Sequence, residues 1–111
     1  MEQENFLEQH IFIGLKNLND GFGKDGVQFF SEPDFEIILQ RAEHFGLSIY
    51  IIEPWVEGEL LKSSSHEDHK KKATDPKWYN KEFLTLKTIQ TGLVYSARYK
   101  VSKKLLAKHT S

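Results

Sequence analysis

Residues 31–55, SEPDFEIILQRAEHFGLSIYIIEPW, predict an α-helix that leads through a glycine into a β-strand. Ser31 suits the N-cap position because its hydroxyl can accept a backbone N–H of the first turn, and Asp34 completes an acidic variant of the capping box. Gly46 stands where a helix commonly ends in the left-handed conformation. The helix is amphipathic, with apolar residues at helical spacing: Phe35, Ile38, Leu39, Ala42 and Phe45.

The strand after this helix is residues 47–52, LSIYII. It is short, β-branched and aromatic, and nearly every position is apolar, which predicts an interior strand covered on both faces. Proline has no N–H to donate to a β-ladder, so Pro54 is expected to end the strand. The sequence therefore predicts that Trp55 lies on the loop that follows.

Length and composition indicate a single domain over residues 1–111 with an ordinary globular core. The chain has no cysteine, which excludes disulfides, thiolate metal sites and thiol catalysis. It has no apolar run of membrane-spanning length, and its acidic start lacks the basic residues of a signal peptide. We therefore expect a cytoplasmic protein without a membrane partner.

Charge is distributed unevenly along the chain, although the formal net charge is only −1. Residues 1–60 contain 12 acidic and 3 basic side chains, whereas residues 61–111 contain 12 basic and 4 acidic ones. This asymmetry predicts either two separate charged surfaces or two halves that neutralise each other on folding.

The first 30 residues combine a helical signal with a loop. Residues 6–18 are predicted to form a helix that passes into an extended segment, and residues 19–26, NDGFGKDG, favour a turn-rich loop. The loop glycines have the G-x-G-x-x-G spacing of dinucleotide-binding motifs, but such a motif opens into a helix, whereas residues 27–30, VQFF, indicate a strand. We therefore interpret the loop as a plain turn and expect no cofactor.

Residues 61–74 are polar and low in complexity, which predicts a mobile loop. The candidate metal ligands in this loop are His66 and His69, which are separated by two carboxylates. Zinc requires ligands held in tetrahedral geometry, which a mobile loop does not provide. The sequence therefore predicts no metal site.

Asp75 and Pro76 predict the start of a second helix, as N-cap and first helical residue. Residues 93–101 alternate between apolar and polar, which favours a strand over a continued helical stripe. Residues 103–111 are predicted to be a short basic helix or a frayed tail. These elements predict an α+β fold with two main helices on a small mixed β-sheet. The predicted buried stripe of the second helix is Tyr79, Phe83, Leu86 and Ile89.

No catalytic motif is present, so we expect a non-catalytic protein. The acidic half suggests a protein-binding site, because acidic surfaces steer association with basic partners and tryptophan is frequent at binding hot spots. The residues predicted to form this site are Glu53, Trp55, Glu57 and Glu59. The alternative is nucleic-acid binding by a basic C-terminal face with interleaved tyrosines. Its residues are Tyr95, Arg98, Tyr99, Lys100, Lys103, Lys104 and Lys108.

A glycine-containing loop, a strand, a capped helix, Gly46, a second strand, and then an acidic residue, Trp55 and Gly58 follow one another along the chain. Residues 77–79, KWY, then begin an amphipathic segment. Over about half the chain, this order resembles small immunity proteins of bacterial toxin systems. The resemblance implies a binding protein that blocks a cognate toxin or enzyme. The basic C-terminal half departs from the acidic character of such proteins, which argues against mimicry of nucleic acid.

Overall fold

An antiparallel β-sheet is the centre of the fold, and the computed structural model describes residues 2–18 and 27–108 of the chain. The sheet has the order β1-β5-β2-β3, and β4 also pairs with β2. The described strands are β1 (Phe30–Ser31), β2 (Ser48–Val56), β3 (Glu59–Leu60), β4 (Ser64–Ser65) and β5 (Val94–Lys100). The α+β class is confirmed. Every pairing between these strands is antiparallel, however, so the expectation of a mixed sheet is wrong.

Helices cover one face of this sheet. The chain begins with α1 (Gln3–Phe6), which continues as a π-helical turn (Leu7–Ile11), and the two long helices are α2 (Glu32–Phe45) and α3 (Pro76–Ile89). The segment expected as a short basic helix or frayed tail contains α4 (Lys103–Lys108). The glycine motif of residues 19–26 lies outside the described residues.

Both predicted caps of α2 are present. The Ser31 hydroxyl accepts a hydrogen bond from the Asp34 N–H at 3.5 Å. Gly46 has φ 69° and ψ 30°, the left-handed conformation that a residue with a Cβ adopts only at a cost. The Leu47 N–H donates to the Ala42 carbonyl at 2.9 Å, which turns the chain directly into β2. The helix–glycine–strand unit predicted from the sequence is therefore confirmed.

Pro54 does not end the strand, because β2 continues through it to Val56. The Pro54 carbonyl accepts a hydrogen bond from the Leu61 N–H at 2.9 Å, so the backbone groups of this residue face away from β5. The N–H that proline lacks would therefore also have faced away from β5, and its absence costs no β2–β5 hydrogen bond. As a result Trp55 lies inside the sheet, opposite Val94 in β5, and not on a loop.

The core is aromatic where α2 and α3 meet the sheet. The Phe35 and Tyr95 rings are stacked with centroids 5.0 Å apart, and Phe83 packs against Tyr95 edge-on at 5.3 Å. The strand prediction for residues 93–101 is confirmed, because β5 pairs with both β1 and β2. The predicted burial of Ile89 is wrong: it is 57% exposed, in the last turn before α3 ends at an extended residue.

Residues 61–74 follow the outer edge of β2. The His66 N–H donates to the Tyr50 carbonyl at 3.1 Å, and the Ile49 N–H donates to the Ala73 carbonyl at 3.0 Å. These bonds place the segment against a second face of α3, which explains why Trp78 is buried although it lies off the predicted stripe.

Candidate functional site

The β2–β3 hairpin presents the most exposed part of the predicted protein-binding site. Its turn residues, Glu57 and Gly58, have φ values of 51° and 80°, and two positive φ angles are characteristic of a type I′ turn. Glu57 and Glu59 are exposed, and they are followed by Leu60 and Leu61, which are 40% and 39% exposed. The hairpin therefore combines two carboxylates with two solvent-accessible leucines.

Trp55 supports this hairpin from within. It is only 9% exposed, its indole N–H donates to the Ser96 hydroxyl at 2.9 Å, and its ring packs edge-on against Phe29 at 5.3 Å. Because the ring is engaged inside the molecule, the exposed apolar side chains of the hairpin are those of the leucines. The sequence contained a signal for them, since two adjacent leucines directly follow an acidic turn.

Glu53 lies apart from the hairpin tip. Its side chain is 18% exposed and lies 3.9 Å from the Arg98 guanidinium of β5. The four residues predicted for the site therefore lie in three different places in the fold. Glu57 and Glu59 lie at the tip, Trp55 lies beneath them, and Glu53 lies beside Arg98 of β5.

The residues of the alternative nucleic-acid site are also divided. Tyr95 is fully buried, and Tyr99 packs edge-on against Phe12 at 5.5 Å with its hydroxyl buried. Burial raises the pKa of Tyr95 to about 12 and raises the pKa of Tyr99 further above its ordinary value. These two tyrosines are core residues and do not form a platform for stacking bases. The cations of the set are all exposed: Arg98, Lys100, Lys103, Lys104 and Lys108.

The hairpin acids and the lysines after β5 lie at opposite ends of the sheet. Ser48, at the start of β2, pairs with Lys100, whereas Trp55, near its end, pairs with Val94. The seven residue steps from Ser48 to Trp55 correspond to about 23 Å. The hairpin acids therefore lie at one end of the sheet, and the lysines that follow β5 lie at the other. Among the described residues, two ion pairs join an acidic residue of the first half to a basic residue of the second: Glu53–Arg98 and Glu36–Lys87.

The two candidate metal ligands hold residues 61–74 in place. The His69 imidazole lies 2.8 Å from the Glu82 carboxylate, and His66 Nδ1 lies 2.7 Å from the Lys71 carbonyl. Both rings pack against Trp78, and Glu82 is only 5% exposed. Within residues 2–18 and 27–108, no group of three His, Cys, Asp or Glu side chains is arranged to hold a metal ion. These contacts give both histidines a structural role.

A cavity of about 370 Å³ opens at the edge of β5. The π-helical turn and α1 form one wall, the segment before β1 forms a second, and β5 forms the floor. Among the described residues that line it, the charged ones are Glu4, Glu53 and Arg98. Its volume lies within the range of small-ligand sites, about 300–1,000 Å³.

Comparisons with known proteins found no match for this chain among family models, curated proteins or solved structures. The resemblance to immunity proteins therefore stays a prediction. Among the described helices, none has both the length and the apolar character needed to cross a membrane.

Proposed function

We propose that this protein is a non-catalytic binding domain whose acidic β2–β3 hairpin docks on a basic, partly apolar surface of a protein partner. The observation that carries the proposal is the exposure of Glu57 and Glu59 beside Leu60 and Leu61 on one hairpin. Apolar side chains rimmed by charge are typical of protein interfaces. In its most concrete form, following the resemblance, the partner is a cognate toxin or enzyme that this domain blocks.

The hairpin is suited to binding because the fold holds it rigidly. The Leu61 N–H bonds to the Pro54 carbonyl, and Trp55 anchors the adjoining strand through Ser96. A preorganised surface loses little conformational entropy on association. The exposed hairpin carboxylates also favour fast encounter with a basic partner, with an association rate that falls as salt is added.

The test compares two variants of equal charge. Glu57→Lys with Glu59→Lys reverses the hairpin, and Glu43→Lys with Glu67→Lys makes the same net change at other exposed positions. Quantitative affinity capture from source-cell lysate with wild type and both variants selects proteins that only the hairpin variant loses. Such a protein is then purified, and its association rate with each variant is measured against salt.

The expected result is a binary complex that forms with the control variant but is lost from the capture with the hairpin variant. The hairpin variant should associate with the purified partner at least tenfold more slowly than wild type. A partner that binds the hairpin variant as well as wild type would refute this site. Equal loss in both variants would show that only net charge matters, which also refutes it.

A second candidate function rests on the lysine-rich end of the sheet. The Ala73–Ile49 hydrogen bond brings residues 70–72, KKK, to the end of the sheet from which Lys100, Lys103 and Lys104 project. This end could bind nucleic-acid phosphates without stacking bases. Fluorescence anisotropy with labelled single- and double-stranded oligonucleotides would then show affinity that falls steeply with salt. Wild-type affinity in Lys103→Glu with Lys104→Glu would reject this candidate.

A further inference from the structure

In the described part of the chain, one edge of β5 is only partly paired. β2 pairs with the opposite edge of β5. β1 pairs with the partly open edge, but only at Val94 and Tyr95. The Tyr99 carbonyl bonds to a side chain of α1, so the backbone groups of Tyr99 face the open edge. Backbone direction alternates along a strand, so the N–H and C=O of Ala97 face the same way. Apart from bonds within the strands, no backbone hydrogen bond among the described residues involves the N–H or the C=O of Ala97.

Gln3 shows which chemistry this edge accepts. Its side-chain amide donates to the Tyr99 carbonyl at 3.2 Å and accepts from the Val101 N–H at 2.9 Å. One amide group thus makes the pair of bonds that the N–H and C=O of one residue in a neighbouring parallel strand would make. The next position of the ladder, at Ala97 and the Tyr99 N–H, borders the cavity described above.

The open position is short and closed at both ends. Phe30 pairs with Tyr95 on one side, and Gln3 occupies the ladder beyond Tyr99 on the other. The four residue steps between Tyr95 and Tyr99 span about 13 Å, the length of roughly four extended residues. A strand that continued in both directions would meet Phe30 and Gln3, whereas the end of a chain would fit.

The charges around the cavity select which end. Of the described residues that line it, two carry carboxylates, Glu4 and Glu53, and one carries a guanidinium, Arg98, which already lies 3.9 Å from Glu53. The excess negative charge favours an ammonium over a carboxylate. We propose that the β5 edge binds the N-terminal residues of an extended peptide, with backbone pairing to Ala97 and Tyr99 and the α-ammonium beside Glu4 and Glu53. This site is separate from the hairpin and does not depend on it.

Nuclear magnetic resonance can test both parts of this proposal with Ala-Val-Ala amide as the probe. Titration of the labelled protein should shift the Ala97 and Tyr99 amide signals, with a dissociation constant of roughly 0.1–1 mM for a ligand of this size. The N-acetylated peptide lacks the ammonium and should bind at least fivefold more weakly. No shift at these amides with 5 mM peptide, or equal binding of the acetylated peptide, would overturn the proposal.

Two substitutions should change the peptide affinity in opposite directions. Arg98→Ala frees Glu53 for the ammonium and should tighten binding about threefold, whereas Glu53→Gln should weaken it at least threefold. Ala97→Pro removes an N–H that the β2–β5 ladder does not use, so the fold should persist while peptide binding is lost. A folded Ala97→Pro protein that binds the peptide like wild type would refute the pairing with this edge.

Discussion

Replacing Trp55 by alanine should destabilise the fold, although the sequence placed this residue on a binding loop. The side chain is 9% exposed and packs against Phe29, which is itself fully buried. Burial of roughly 200 Å² of aromatic surface at about 25 cal/mol/Å² gives about 5 kcal/mol as an upper value. Measured tryptophan and phenylalanine truncations cost about 3–5 kcal/mol, so we expect about 4 kcal/mol for Trp55→Ala.

The hydrogen bond from the indole can be separated from the packing by a double-mutant cycle. Trp55→Phe keeps a ring against Phe29 but leaves the Ser96 hydroxyl, which is 1% exposed, without its donor. Ser96→Ala removes the acceptor. The cost of the double variant should fall short of the sum of the single costs by about 1 kcal/mol, the typical net value of such a bond.

Urea unfolding followed by far-ultraviolet circular dichroism measures these differences without relying on tryptophan emission. A domain of this length has a stability on the order of 10 kcal/mol, so Trp55→Ala should remove a large fraction of it. The melting temperature should fall by about 15 °C. A cost below about 1 kcal/mol would mean that the indole is not part of the core and would refute the burial argument.

Three further changes test individual contacts. His69→Ala removes the partner 2.8 Å from the buried Glu82 carboxylate and should cost about 3 kcal/mol in urea unfolding. Lys62→Ala should cost at most about 1 kcal/mol, because the Lys62 side chain is 45% exposed, and equal costs for the two variants would contradict this. Gly46→Ala should lower the free energy of unfolding by about 1 kcal/mol, measured by thermal melts. The cost comes from backbone conformation alone, because φ is 69° and the added Cβ meets no atom within 4 Å, and an unchanged stability would contradict this. Burial raises the pKa of Tyr95 from 10.0 to about 12, so the unfolded state loses the phenolic proton at a lower pH than the folded state. The free energy of unfolding, measured by urea titration, should therefore fall between pH 10 and 12, and Tyr95→Phe should lessen that fall.

Each predicted site contains both buried and exposed residues, and this changes how mutations at the sites should be interpreted. A loss of binding in a Trp55 variant would report unfolding as readily as a lost contact. Glu57 and Glu59 carry no such ambiguity, because both are exposed at the hairpin tip. For the same reason, Tyr95 variants test the core, and only the exposed lysines test nucleic-acid binding.

Local signals in the sequence were sufficient for the elements themselves. Ser31 and Gly46 bound α2, and Asp75 with Pro76 begins α3, because caps depend on a few neighbouring residues and on backbone conformation. The alternation in residues 93–101 similarly predicted β5. These features led directly to the α+β class.

Only the tertiary structure decided which groups face one another. Pro54 can remain inside β2 because its backbone faces away from β5, and no local pattern states that direction. Burial of Trp55 and of Glu82 depends on partners 41 and 13 residues away in the chain. The separation of the hairpin acids from the lysines after β5 likewise follows from the antiparallel register of β2 and β5. Pairing between distant residues is a property of the packed chain, whereas caps and periodicity belong to the sequence alone.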